Sequence, residues 1–230
     1  MTRVPPFDRP ASYDDLLRQP DHLVAEILDG ELHANLRPSA VAAGSAVTLG
    51  GMLRRACSAG DPDGWQILNE PELRLGADVL FPAAAGWRAS RLPELPRTAY
   101  FSIAPDWVCE IPATYPASLR SRRMAIYAGE GVSYAWLIDP VAQTLEVRSL
   151  QEGRWRVVAM AAGHEGQERT FDVPADEPTL EKFDLKLLGG LKVAGEPAGA
   201  AVKVTGPGGF KDDGGLPWEA EGLTSGPYRV

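Results

Sequence analysis

The chain has 230 residues, enough for one substantial core, and its 44% hydrophobic and 23% charged residues are an ordinary balance for a globular domain. A formal charge of −8 argues against broad electrostatic attachment to nucleic acid, which needs a basic face, while leaving room for a small basic site. Cys57 and Cys109 show neither metal-ligand nor redox spacing and no apolar stretch reaches bilayer-spanning length, so a disulfide scaffold, a structural zinc site and membrane insertion are not expected, and a cytoplasmic setting is.

Met1 to about Ala11 reads as an N-terminal arm, with charge and three prolines in its first ten residues but no apolar core. Ser12 with Asp14 and Asp15 predicts a capped helix through Arg18. Leu23 to Leu28 and Glu31 to Leu36 flank Asp29-Gly30, a strong hairpin signal that places Glu26 within the first strand. From Ser39 to about Ala59, apolar positions such as Val47, Leu49, Met52 and Leu53 recur at helical intervals, so one long helix is expected despite Gly44, Gly50 and Gly51.

Trp65 to Leu68 and Pro71 to Phe81 read as strands broken by turns, and Ala84 to Pro96 as a loop. Trp107 to Ile111 is a buried strand bearing one acid, Glu110, and Ser118 to Glu130 a helix stopped by Gly131. Tyr134 to Ile138 and Thr144 to Arg148 form a second predicted hairpin, which offers an edge strand for a homodimer, followed by a strand from Arg154 to Ala159. The order is mixed α/β with several antiparallel pairs. Gly189 to Val230 holds 11 glycines and four prolines with little periodicity, which predicts a flexible or weakly ordered tail after a domain over residues 12–188.

Arg120, Arg122 and Arg123 are the densest positive cluster; the simplest reading is a solvated helix face. An acid in an apolar strand is costly unless paired or metal-bound, so Glu110 has two readings: a metal ligand, or a buried salt bridge with an arginine such as Arg123. Asp78 lies five residues before Ala83, on the opposite face of a continuous strand, while Glu70 and Glu72 reach Glu110 only if their loop bends toward it. His22, His33 and His164 share no metal-site spacing and read as surface or turn residues, and Trp87 and Trp107 as packing residues. Gly206 to Lys211 is glycine-rich in composition only, with no strand leading in.

Four pieces stand in a telling order: Glu26-Ile27-Leu28-Asp29-Gly30-Glu31-Leu32; Asp78-Val79-Leu80-Phe81-Pro82 with Gly86-Trp87-Arg88; Ala104-Pro105-Asp106-Trp107-Val108-Cys109-Glu110; and Ile126-Tyr127, Gly131-Val132 with Trp136-Leu137-Ile138-Asp139-Pro140. Over roughly residues 12 to 190 the chain resembles the Uma-type restriction endonuclease family of the PD-(D/E)XK nuclease superfamily. The resemblance implies an α/β fold, a mixed β-sheet core flanked by helices, and Mg²⁺- or Mn²⁺-dependent phosphodiester hydrolysis of nucleic acid by a homo-oligomer such as a dimer. It also implies a site of an early acid, an Asp after Pro, a Glu on the next strand and a basic residue, usually Lys. The matching positions are Glu26, Ala83, Glu110 and Arg123, with Glu26 and Glu110 as metal ligands.

The departures cluster at that site. Ala83 replaces the Asp, Arg123 the Lys, Leu119 a helix acid and Ala42 a common His, and Ile111 to Pro116 differs from the Ser- and Thr-rich segment expected. A methyl group ligates nothing and a guanidinium is no general base at neutral pH, so the expectation is an inactive or impaired pseudoenzyme. The alternative is a non-catalytic nucleic-acid-binding or protein-interaction module on the same fold. Ala83→Asp is expected to restore metal affinity if the rest of the site is intact.

Overall fold

The computed structural model describes residues 8–57, 64–111, 116–172, 189–193, 201–205, 207, 210–215, 217–223 and 228–229. They fall into two compact units, one within Met1–Val158 and Glu168–Glu181, the other within Ala159–Gln167 and Lys182–Val230. Among the described residues no helix is long and apolar enough to cross a membrane. Most of the N-terminal arm, residues 112–115 of the segment after Glu110, and Gly206, Gly208 and Gly209 of the glycine-rich run lie outside the described residues.

In the first unit α1 (Tyr13–Leu17) starts at Ser12, whose N–H and Oγ–H both donate to Asp15 at 2.9 and 2.6 Å. The first hairpin pairs β1 (Leu23–Leu28) with β2 (Glu31–Leu36). Asp29 and Gly30 turn it with φ of 52° and 76°, the positive values a two-residue turn requires. Then come α2 (Ala40–Ala56), β3 (Trp65–Asn69), β4 (Glu72–Leu75), β5 (Asp78–Leu80), β6 (Ala84–Arg88), β7 (Tyr100–Phe101), β8 (Trp107–Glu110), α3 (Ala117–Gly129), β9 (Tyr134–Asp139) and β10 (Thr144–Gln151), and then β11 (Arg154–Ala161) and β12 (Gln167–Asp172), of which Ala159 to Ala161 and Gln167 are counted with the second unit. One five-stranded sheet has the order β2-β1-β5-β4-β7 and one seven-stranded sheet the order β12-β11-β10-β9-β8-β6-β3. Both are mixed: β4 with β7 and β8 with β9 are parallel, whereas β1 with β2 and β5, β4 with β5, β6 with β3 and β8, and β9 with β10 are antiparallel.

Two expectations are corrected. Ala84–Arg88 is a strand, not the start of a loop, pairing antiparallel with both β3 and β8. Its residues lack β-branching, and its middle is crowded: a Cβ on Gly86 would lie 2.8 Å from Ile67 Cδ1 and 3.2 Å from the rings of Trp65 and Trp107. The second predicted hairpin offers no edge, because β9 lies between β8 and β10, and β10 between β9 and β11.

An apolar cluster joins Ala42 and Ala46 of α2 to Ile67, Ala84, Trp107 and Cys109 of the seven-stranded sheet and to Ile111. Trp87 is fully buried, donates from Nε1 to the Ile103 carbonyl at 2.9 Å and stacks on Phe101. The hairpin buries Ala25, Ile27 and Leu32 against Val79 and the α1 side, which turns Glu26 and His33 to the opposite face.

The second unit contains the segment read as a tail. Four strands are described there: β13 (Gly189–Val193) pairs with β16 (Trp218–Leu223), and β14 (Ala201–Thr205) with β15 (Lys211–Gly215). Val204 and Leu223 are buried, and Phe210 meets Tyr228 edge to face.

Candidate functional site

Glu26 on β1, Glu110 on β8 and Arg123 on α3 come together where the hairpin, the seven-stranded sheet and the helix meet. Each is buried, Arg123 to 2% exposure and Glu110 to 2%. Helical spacing puts Tyr127 one turn after Arg123 and on the same face. One carboxylate oxygen, Glu110 Oε1, accepts from Arg123 Nε at 3.0 Å, Arg123 Nη2 at 2.5 Å and the Tyr127 hydroxyl at 2.6 Å. Arg123 Nη1 donates to Glu26 Oε1, which also accepts from the Phe81 amide at 2.8 Å. One guanidinium thus bridges two carboxylates on two sheets.

The Phe81 bond brings Glu26 beside the segment Phe81-Pro82-Ala83. Ala84 pairs with Cys109, so Ala83 stands one step before that rung, at the level of Glu110. Its methyl packs against the apolar cluster on the α2 side, and its carbonyl accepts from the Glu70 amide at 3.2 Å. Its side chain carries no oxygen, and it is partly buried against that cluster.

Burial sets the ionisation of the group. It raises the Glu110 carboxyl above its ordinary value, outweighing the opposing effects of Arg123 and Tyr127, and raises the Tyr127 phenol well above its own. Cys109, one residue from Glu110 and buried, is pushed up by desolvation and stays a thiol.

Of the other candidate acids, Glu70 is exposed, with its amide on the Ala83 carbonyl. Asp78 accepts from the Asp29 amide at 2.7 Å at the hairpin turn, and Glu72 bonds Tyr13 and Arg74. Leu119 is buried at 4% exposure and Ala42 belongs to the apolar cluster, so the positions of two further departures are occupied by packing. The arginine cluster is not a solvated face: Arg123 is buried, Arg122 bonds Glu31 at 2.6 Å, and Arg120 lies 3.8 Å from Glu146.

His33 departs from its reading as a surface or turn residue. It pairs directly with Glu26 across the hairpin and lies 3.4 Å from Arg122, and burial followed by the Arg122 charge lowers its pKa. Tyr127 was part of a recognised motif with no role attached. Its signal was the four-residue step from Arg123. His22 is exposed, and His164 sits in a turn with Nδ1 2.9 Å from the Ala162 carbonyl.

A Mg²⁺ or Mn²⁺ ion needs several oxygen ligands, one or two of them carboxylates. Here both carboxylates are engaged by Arg123, and position 83 offers a methyl group. Among the described residues no three His, Cys, Asp or Glu side chains are placed to hold a metal ion. The residues present do not fit a divalent cation in this arrangement.

Comparison with known proteins supplies the remaining findings. A family model, Uma2, described as putative restriction endonuclease, matches residues 10–186. No curated protein matches the chain. Among solved structures, the crystal structure of a putative nuclease belonging to DUF820 from Anabaena variabilis matches with a TM-score of 0.50 and 20% identity, over 71% of this chain and 85% of that one. At that identity the likeness concerns the fold.

Proposed function

Since the chain belongs to the Uma2 family, described as putative restriction endonuclease, we propose that it is a non-cleaving member, which engages nucleic acid on a nuclease fold without hydrolysing it. The observation that carries this reading is position 83. Metal-assisted phosphodiester hydrolysis needs a divalent ion to polarise the phosphate and acidify water, and its ligands must converge on one point. The Ala83 methyl packs against an apolar cluster, level with Glu110, and supplies no ligand oxygen. Arg123 does not compensate, because a guanidinium remains protonated and activates no water. Glu26, Glu110 and Arg123 then hold the fold together, and any nucleic acid is bound through phosphate contacts. The net charge of −8 favours a second reading, a module that recognises a protein partner.

Fluorescence anisotropy with labelled duplex and single-stranded DNA and RNA, over a series of salt concentrations with MgCl₂ or MnCl₂ present, tests the proposal. The expected result is salt-dependent binding with every oligonucleotide intact, since phosphate contacts show themselves through counterion release. Absent binding at low salt favours the protein partner. Cleavage that disappears in Glu110→Ala overturns the reading.

A further inference from the structure

The alanine at 83 is not the whole barrier to a metal. Glu26 comes from one sheet and Glu110 from another, and both are buried, at 3% and 2% exposure. Two carboxylates in such a place need a cation between them, because desolvating unpaired charges is strongly unfavourable. The cation that satisfies them belongs to the chain itself. Arg123 spans the gap with separate nitrogens, Nη1 to Glu26 and Nε with Nη2 to Glu110, a division of labour that suits a planar five-donor fork and not a single ammonium.

We infer that Arg123 stands in for a divalent cation: its guanidinium fills the space between Glu26 and Glu110, and it, more than the loss at position 83, excludes metal. This deepens the non-cleaving reading and rests on it. A metal entering the site would have to evict a buried positive charge held by both carboxylates and by contact with Tyr127 at 3.3 Å. Adding an acid at position 83 leaves the guanidinium in place. Removing the guanidinium leaves two buried carboxylates facing a cavity, and two carboxylates completed by water are enough for Mg²⁺ or Mn²⁺. Ala83→Asp alone is therefore insufficient, since its condition of an otherwise intact site is not met.

Thermal unfolding of the full chain with and without millimolar MnCl₂ separates these ideas. Wild type and Ala83→Asp are expected to keep their Tm on addition of Mn²⁺. Arg123→Ala is expected to start lower and to gain about 5 °C or more, the shift for a ligand at roughly 100 times its dissociation constant in a chain of this size. The gain is expected to vanish in Glu110→Gln/Arg123→Ala. If Arg123→Ala does not fold, Arg123→Lys carries the test, because an ammonium reaches fewer acceptors and leaves room beside it; its Tm should respond to Mn²⁺ in the same direction. Mn²⁺-insensitive Arg123 variants, a gain that survives Glu110→Gln, or a response in Ala83→Asp or wild type would overturn the inference. Cleavage by the wild type would overturn the non-cleaving reading by a separate assay.

Discussion

Three donors converge on one oxygen of Glu110, so the state of that carboxyl decides how tightly α3 is held to β8. Its folded-state pKa is raised, chiefly by burial. For a raised carboxyl, the associated stability is fully present below the unfolded value and is lost as pH rises through the folded one. The wild-type urea midpoint should therefore fall relative to that of Glu110→Gln as pH increases above about 4.3, the ordinary glutamate value. A gap between the two proteins that stays constant from acid to neutral pH would contradict this account of Glu110. At this scale the sequence was partly legible. Glu26, Glu110 and Arg123 stand out by motif position, and an acid in an apolar strand already demanded a partner. His33 and Tyr127 did not stand out, because one acquires its environment from a cross-strand neighbour and a helix, and the other from a strand 17 residues earlier.

Among the elements, those fixed by local chemistry were readable. Asp29-Gly30 supplies the positive φ values of the first hairpin, and the Ser39 side chain accepts from the Ala42 amide at the start of α2. The strand β6 was missed because Ala-Ala-Gly carries no strand propensity, and its place is set by what surrounds it. A Cβ at Gly86 would press on the end of the Ile67 side chain and on the indoles of Trp65 and Trp107, so these neighbours must shift to admit it. Gly86→Ala is predicted to destabilise the protein by about 1–3 kcal/mol, the usual cost of overpacking, seen as a lower urea midpoint with unchanged slope. A neutral effect would mean that Ile67 and the two indoles move aside freely. The interior placement of β9 and β10 was likewise beyond a linear reading, since a hairpin pattern does not say what pairs outside it.

On the scale of the whole molecule, the α/β fold with mixed sheets follows from the order of elements, and the family from four motifs in sequence; a match over residues 10–186 agrees with both. Composition read residues 189–230 as lacking periodicity, whereas the described part of that segment pairs strands locally with few buried anchors, a pattern that hydrophobic periodicity detects poorly. The acidic chain, the packing of Ala83 against an apolar cluster and the Arg123 bridge are the observations behind the proposal that the central carboxylates serve cohesion in place of catalysis. Calorimetric titration of the wild-type protein with Mn²⁺, with Glu110→Ala as control, tests this most directly because it requires no substrate. The account predicts no saturable heat of binding in either protein. Stoichiometric binding by the wild type that disappears in Glu110→Ala would contradict it, and would mean that the carboxylates release Arg123 to hold a metal.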